Sequence, residues 1–231
     1  MSVFTTSPDS TPGLLGRVAQ VIVDFVLPEP CVICQRPPRG LCADCTRHIV
    51  RTHRWSEVDG LALCVSDAPA DLMLRVVRAF KDQSRTALAR PLALALSSAI
   101  EAALRRFPDA DAFVVPPSPW ASWRKRGFRP VPLVLSCLGV RAQPLLRRRR
   151  VRVDQRALSV NQRRENLEGA FEARFMLNGG TVILVDDVVT TGSTVAEARR
   201  AIEAAGGRVA CVIAMARVPL RHSRSDIATP N

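Results

Sequence analysis

The chain of 231 residues is 47% hydrophobic and 23% charged, enough apolar content to fill one substantial core beside a small accessory module. Its formal net charge of +12 comes almost wholly from arginine, Lys81 and Lys125 being the only lysines, so polyanions and phosphorylated small molecules suit it as ligands. There is no run of eighteen uncharged apolar residues, and the early apolar stretch 14–27 is broken by Arg17, Gln20 and Asp24 and has no cleavage site, so the expectation is a cytoplasmic protein with no membrane span.

In chain order, residues 1–27 read as a polar, disordered lead and an amphipathic helix carrying Leu14, Leu15, Val18, Ile22 and Phe25 at helical spacing. Residues 28–60 hold prolines and paired cysteines but no hydrophobic period. Cys31-Val-Ile-Cys34 and Cys42-Ala-Asp-Cys45 lie seven residues apart, a spacing that can bring four thiolates to one tetrahedral metal, for which zinc is the natural occupant. Two disulfides are the alternative, and a reducing compartment disfavours them. His48 and His53 follow closely, but four cysteines already complete a site. Cys64, Cys137 and Cys211 sit in apolar settings and are expected to be core thiols.

Residues 61–220 alternate helical and strand patterns. Leu72, Val76 and Phe80 mark one helix, and Leu88, Leu92, Leu96, Ile100 and Leu104 a second, with a polar loop at 81–85 between them. A buried strand is expected at 111–116 and a helix at 130–138, joined by a basic loop that carries Arg124, Lys125 and Arg126 near Trp120, Trp123 and Phe128. Residues 147–164 form a basic connection beginning Arg147, Arg148, Arg149 and Arg150. Strand 181–185, helix 195–205 and strand 209–216 then make a βαβ unit, and residues 221–231 a disordered tail.

Within that unit Asp186 and Asp187 fall at the carboxyl end of a strand, where open α/β sheets bind ligands. Thr190, Thr191, Gly192, Ser193 and Thr194 lead directly into a helix, so hydroxyls and backbone N–H groups can converge on one anion. A phosphate on those residues, with a diol or Mg²⁺ on the two aspartates, describes the two ends of a ribose 5-phosphate. A plain helix cap beside two solvated acids would use fewer of these residues. Neither a G-x-x-x-x-G-K-[ST] loop nor a G-x-G-x-x-G turn occurs, which disfavours a P-loop kinase or a dehydrogenase.

The run VILVDDVVTTGST resembles the phosphoribosyl-pyrophosphate fingerprint of type I phosphoribosyltransferases. The resemblance implies an α/β fold with a parallel sheet, Asp186 and Asp187 on the ribose hydroxyls or Mg²⁺, and residues Thr190, Thr191, Gly192, Ser193 and Thr194 around the 5-phosphate. Joined to an N-terminal four-cysteine zinc module, the chain resembles the ComF/GntX family, the competence-associated proteins of bacteria. Further landmarks agree in order: Phe80-Lys81, Val115-Pro116-Pro117-Ser118, Arg126-Gly127-Phe128, Gln155 with Leu158, Arg164 with Asn166, and Gly169-Ala170-Phe171. The family usually has Asn-Gln where this chain has Arg129-Pro130, and a glycine near Asp82-Gln83-Ser84.

Displacing pyrophosphate from a sugar calls for stabilisation of departing negative charge, a task open to Mg²⁺, Lys81, Arg85 and Arg126. The acceptor is not legible, and two readings stay open. In one, the protein binds phosphoribosyl pyrophosphate or a related ribose phosphate with Mg²⁺, with or without phosphoribosyl transfer. In the other, which the resemblance implies, it handles DNA during uptake without turnover, holding single-stranded DNA on Arg124, Lys125, Arg147, Arg148, Arg149 and Arg150. Uptake-machinery proteins and a second copy of the chain are further candidate partners.

Overall fold

The computed structural model describes residues 30–37, 40–149 and 169–218. The expected helix at 14–25, Arg150, the remainder of the basic connection and the tail lie outside the described residues. Apolar runs separated by turns give strands β1 (His53–Val58), β2 (Leu61–Ser66), β3 (Ala112–Val114), β4 (Ala142–Gln143), β5 (Leu146–Arg148), β6 (Phe171–Ala173), β7 (Thr181–Val189) and β8 (Arg208–Arg217). The helices are α1 (Ala43–Ile49), α2 (Ala70–Asp82), α3 (Ala89–Arg106), α4 (Trp120–Arg126), α5 (Pro130–Ser136) and α6 (Ser193–Glu203), with a 3-10 turn at Thr86–Leu88.

Six strands form one sheet in the order β1-β2-β8-β7-β3-β4, while β5 and β6 make a separate antiparallel pair. Every pairing in the large sheet is parallel except β1 with β2. The protein is therefore an α/β fold with a mostly parallel sheet. Successive residues of β7 and β8 face opposite sides, so their unbroken apolar runs supply two cores at once. On one face Ile183, Val185, Cys211 and Ile213 pack against Val76 and Phe80 of α2, Leu92 and Leu96 of α3, and Val134 of α5. On the other, Val182, Leu184, Val212 and Ala214 meet Val195, Ala198 and Ile202 of α6, with Leu146 and Phe171 from the small hairpin.

Helix α3 with its leading turn is, by length and composition, apolar enough to cross a membrane, with mean hydropathy 1.4. Its Leu92, Leu96, Ala99 and Ala103 are instead buried in the first core, where an apolar helix belongs in an α/β domain.

Several elements differ from the sequence expectation. The hairpin of β1 and β2 turns at Asp59 and Gly60, both at left-handed φ (51° and 72°), the geometry of a tight Asp-Gly turn; it spans the boundary expected at residue 60. Helix α2 runs through Lys81, and α4 occupies part of the expected basic loop. Strand β7 continues beyond Val185 to Val189, because the long β8 keeps pairing with it: Asp186 with Ala214, Val188 with Ala216, Val189 with Arg217. Cys137, expected in the core, is exposed just past the last turn of α5, while Cys64 and Cys211 are fully buried.

The cysteine segment packs onto the first core. Ile49 and Val32 are part of it, the Ser66 hydroxyl donates to the Ile49 carbonyl at 3.3 Å, and the Arg85 guanidinium donates to the Pro30 carbonyl at 2.6 Å.

Candidate functional site

The long β7 carries Asp186 and Asp187 out beyond the apolar part of the strand, half-buried rather than in open solvent. Each carboxylate folds back on the chain: Asp186 Oδ1 accepts from the Asp187 N–H at 2.8 Å, and Asp187 Oδ1 from the Val188 N–H at 2.7 Å. Burial first, and then the adjacent Asp187 carboxylate, push Asp186 up to about 7. Two acids this close retain a proton near neutrality unless a cation joins them. Lys81, which forms an ion pair with Asp187 Oδ2, lowers the Asp186 value only in part.

Past Val189 the chain turns through Thr190 and Thr191, both exposed, to Gly192 at φ 80°, and α6 begins at Ser193. The Thr191 and Ser193 hydroxyls are 2.8 Å apart, and the Ser193 N–H donates to Thr191 Oγ1 at 3.3 Å. A Cβ on Gly192 would come within 2.6 Å of Val58 Cγ2, so both the backbone angle and the edge hairpin require glycine there. The result is a hydroxyl-lined loop at the start of an eleven-residue helix, following directly on two carboxylates.

Two aromatic rings meet beside this site. Phe80, preceding Lys81, and Phe128, following Gly127, lie with centroids 5.1 Å apart and planes at 49°. That contact brings the end of α2 to the end of α4, where Arg126 lies 3.7 Å from Asp82. Lys81 and Arg126 thus approach from neighbouring elements, whereas Arg85 turns its guanidinium toward Pro30 and the cysteine segment. Among the basic candidates, Arg124 is exposed on α4, Arg147 pairs with Glu172 at 3.0 Å, Arg148 lies 5.6 Å over the Phe171 ring, and Arg149 is exposed. Arg150 and the side chain of Lys125 lie outside the described residues.

The Sγ atoms of Cys31, Cys34, Cys42 and Cys45 all lie within 4.8 Å of one another, those of Cys34 and Cys42 at 3.7 Å. Four thiolates about 2.3 Å from a tetrahedral zinc would stand roughly 3.8 Å apart, a spacing this set is close to. Cys42 caps α1, its sulfur accepting from the Cys45 N–H at 3.5 Å. Although burial works against ionisation, the backbone N–H groups of Cys34, Cys42 and Ile33 bring Cys31 down to about 6. Burial and the neighbouring thiols push Cys45 up, the mark of four thiols that cannot all ionise without a cation. His48 is exposed and His53 packs edge-on against Trp55.

Residues 123–227 match the phosphoribosyl transferase domain. The chain is 30% identical over 182 residues to the "DNA utilization protein YhgH" of Escherichia coli O157:H7, covering 72% of this chain and 74% of that one. It is 32% identical over 178 residues to the protein of the same name from Salmonella typhi, with the same coverage. The chain belongs to the ComF family of type I phosphoribosyltransferase-like proteins.

This ComF-family chain accommodates its departures from the usual pattern locally. Where a glycine is usual after Phe-Lys, Ser84 takes left-handed φ of 54°. Pro130, in place of a usual Gln, stands at the first position of α5, where its missing N–H costs no helical hydrogen bond. A residue missed at the sequence level is Glu197, 4% exposed, which accepts from the Phe171 N–H at 2.8 Å and pairs with Arg200. It ties β6 to the helix behind the hydroxyl loop; its only sequence signal is an acid on the apolar face of α6.

Proposed function

We propose that this ComF-family protein binds a ribose 5-phosphate ligand, phosphoribosyl pyrophosphate above all. The hydroxyl loop Thr190, Thr191, Gly192, Ser193 and Thr194 would receive the 5-phosphate, and Asp186 with Asp187 the ribose hydroxyls or Mg²⁺. The observation that carries the reading is the continuity of β7 into α6, which sets an acid pair and a hydroxyl-bearing loop at adjacent positions on one βαβ unit. Mg²⁺ bound with pyrophosphate would supply charge neutralisation at the leaving group. The chain's own part would be to orient the sugar through the aspartates and to face the pyrophosphate with Lys81 and Arg126, with Arg85 behind them at the cysteine segment. The four cysteines would hold a structural zinc, and the location in keeping with free thiols is the cytoplasm. Isothermal titration with phosphoribosyl pyrophosphate and Mg²⁺ tests the site: the intact protein should bind, and the Asp186→Asn, Asp187→Asn double variant should not. Absence of binding to the intact protein refutes the reading.

A second function is favoured by the name of the relatives, DNA utilization protein, together with exposed arginines on β5 and beyond. On this reading the same protein holds single-stranded DNA through Arg124, Lys125, Arg147, Arg148, Arg149 and Arg150. Binding would weaken steeply with salt, and neutralising Arg147 to Arg150 would flatten that dependence by about 0.7 of a unit of slope for each phosphate left without its arginine. An unchanged salt slope rules those arginines out.

A further inference from the structure

A cavity of about 570 Å³ opens at the opposite end of β7 from the aspartates, between the starts of β3 and β7 and the residues flanking the small hairpin. Val182 lines it, and Val182 and Asp187 are five residues apart on an extended strand, roughly 16 Å. The cavity is thus separate from the ribose-phosphate site.

Its walls are unusual for an unused surface hollow. Phe175 lines it and is 58% exposed, the only exposed phenylalanine or tryptophan among the described side chains, and Met176 beside it is 63% exposed. Three polar residues line the cavity with Phe175: Asp111, Gln143 and Asn178. Gly179 and Gly180 contribute backbone without side chains, so a flat ligand can approach closely; a Cβ on Gly180 would meet the Leu177 carbonyl oxygen at 2.9 Å. Asp111 is also held in place, its Oδ2 accepting from the Thr181 N–H at 2.8 Å.

The rim is basic. Arg174 directly precedes Phe175, and its N–H is bonded to the carbonyl of Leu145, which lines the cavity. Arg141 lies two residues before Gln143, and Arg208 bonds through its guanidinium to Thr181 Oγ1 at 3.0 Å, next to Gly180 and Val182. All three are exposed, against the single acid Asp111 in the lining. Leu145 leads on into β5 and its arginines, so cationic surface is continuous with the chain that forms the cavity.

We propose that this cavity receives a base of single-stranded DNA, stacked on Phe175, with the flanking phosphates on Arg141 and Arg174. An aromatic platform and an arginine rim are the two elements by which single strands are held without sequence preference. The amides of Gln143 and Asn178 each offer donor and acceptor, so either can meet the edge of any base. The volume falls within the range of small-ligand pockets and admits a nucleotide. The proposal rests on the DNA-handling reading above and locates where a base, rather than the backbone, is read.

The test uses the zinc-loaded full chain and a fluorescein-labelled oligothymidylate of about fifteen nucleotides, followed by anisotropy across a salt series. Phe175→Ala should weaken binding about tenfold at every salt concentration with the slope unchanged, and Phe175→Trp should restore it. Arg141→Gln with Arg174→Gln should reduce the slope by about 1.4. Because the Phe175 ring is mostly in solvent, the melting temperature and zinc content of Phe175→Ala should match those of the parent. Full affinity in Phe175→Ala overturns the proposal and leaves the DNA reading standing. No binding by the intact protein overturns both. Thymidine monophosphate binding as tightly as the strand assigns the cavity to free nucleotides and overturns the strand.

Discussion

Lys81 and Asp187 form an ion pair that joins the end of α2 to the carboxyl half of β7, with side chains 24% and 17% exposed. The pair neutralises one member of the acid couple and leaves the other, Asp186, as the group whose charge is hard to sustain. On the proposed function, that is the group a cation or a sugar hydroxyl would meet.

Asp186 makes the ligand-free protein less stable as the pH rises. The folded chain keeps this proton up to about 7, whereas the unfolded chain releases it near 3.8, so folding takes up a proton between those values and stability falls across them. The melting temperature should be higher at pH 6 than at pH 8, and Asp186→Asn should raise it by a few degrees at pH 8 while abolishing ligand binding. A variant less stable than the parent at pH 8 would contradict this.

Lys81→Met should leave Asp187 unpaired beside Asp186 and cost about 1–2 kcal/mol in urea unfolding at pH 8. The loss should shrink at pH 6, where Asp186 holds its proton, and the further change Asp187→Asn should recover most of it. Additive losses in the double variant would show that the two groups do not interact.

Gly192→Ala combines an unfavourable φ of 80° with a 2.6 Å approach to Val58 Cγ2. We expect a loss of at least about 1 kcal/mol in stability and a greater proportional loss in affinity for ribose 5-phosphate, since the loop must move to relieve the clash. Calorimetry on the parent, Gly192→Ala and Gly192→Ala with Val58→Ala separates the causes: relief by the smaller side chain at position 58 identifies the clash, and no relief identifies φ.

Glu197→Gln should destabilise the chain by roughly 1–2 kcal/mol, because the carboxylate is only 4% exposed while its partner Arg200, 45% exposed, stays solvated. The hydrogen bonds from Arg200 and the Phe171 N–H hold Glu197 below the usual carboxylate range despite its burial, so this contribution is present above about pH 4.5 and is lost as the pH falls through the lowered value. Denaturant midpoints of parent and variant should converge in acid.

Metal analysis of the purified chain should find one zinc, and Cys34→Ser should lose it. Chelation should lower the melting temperature by several degrees, since the segment that the metal ties together holds Val32 and Ile49 in the main core. A melting temperature indifferent to chelator would contradict a structural role for the ion.

The parallel sheet and the acid and hydroxyl run were legible because their signals are local. A two-faced buried strand is an unbroken apolar run, and the 181–194 stretch carries its own order of acids, glycine and hydroxyls. The hairpin 53–66 escaped notice although Asp59-Gly60 marks its turn, because Arg54, Glu57 and the half-buried Trp55 hide the alternation on an edge strand. Helix α4 was hidden for a related reason: WASWRKR has no apolar period, and its position follows from the meeting of Phe128 with Phe80, a contact 48 residues apart in sequence. The cavity beside Phe175 is formed by segments near residues 111, 143, 178 and 182, a juxtaposition that only the folded sheet creates.

The seating of Ile49 and Val32 in the main core, with Arg85 bonded to Pro30, changes how deletion experiments on this chain would read. Cutting away residues up to about 50 would not yield a phosphoribosyltransferase-like half freed of a detachable appendage. It would uncover an apolar face on α2 and α3, and any activity lost by the shortened chain would report a breached interior, with aggregation as its first symptom.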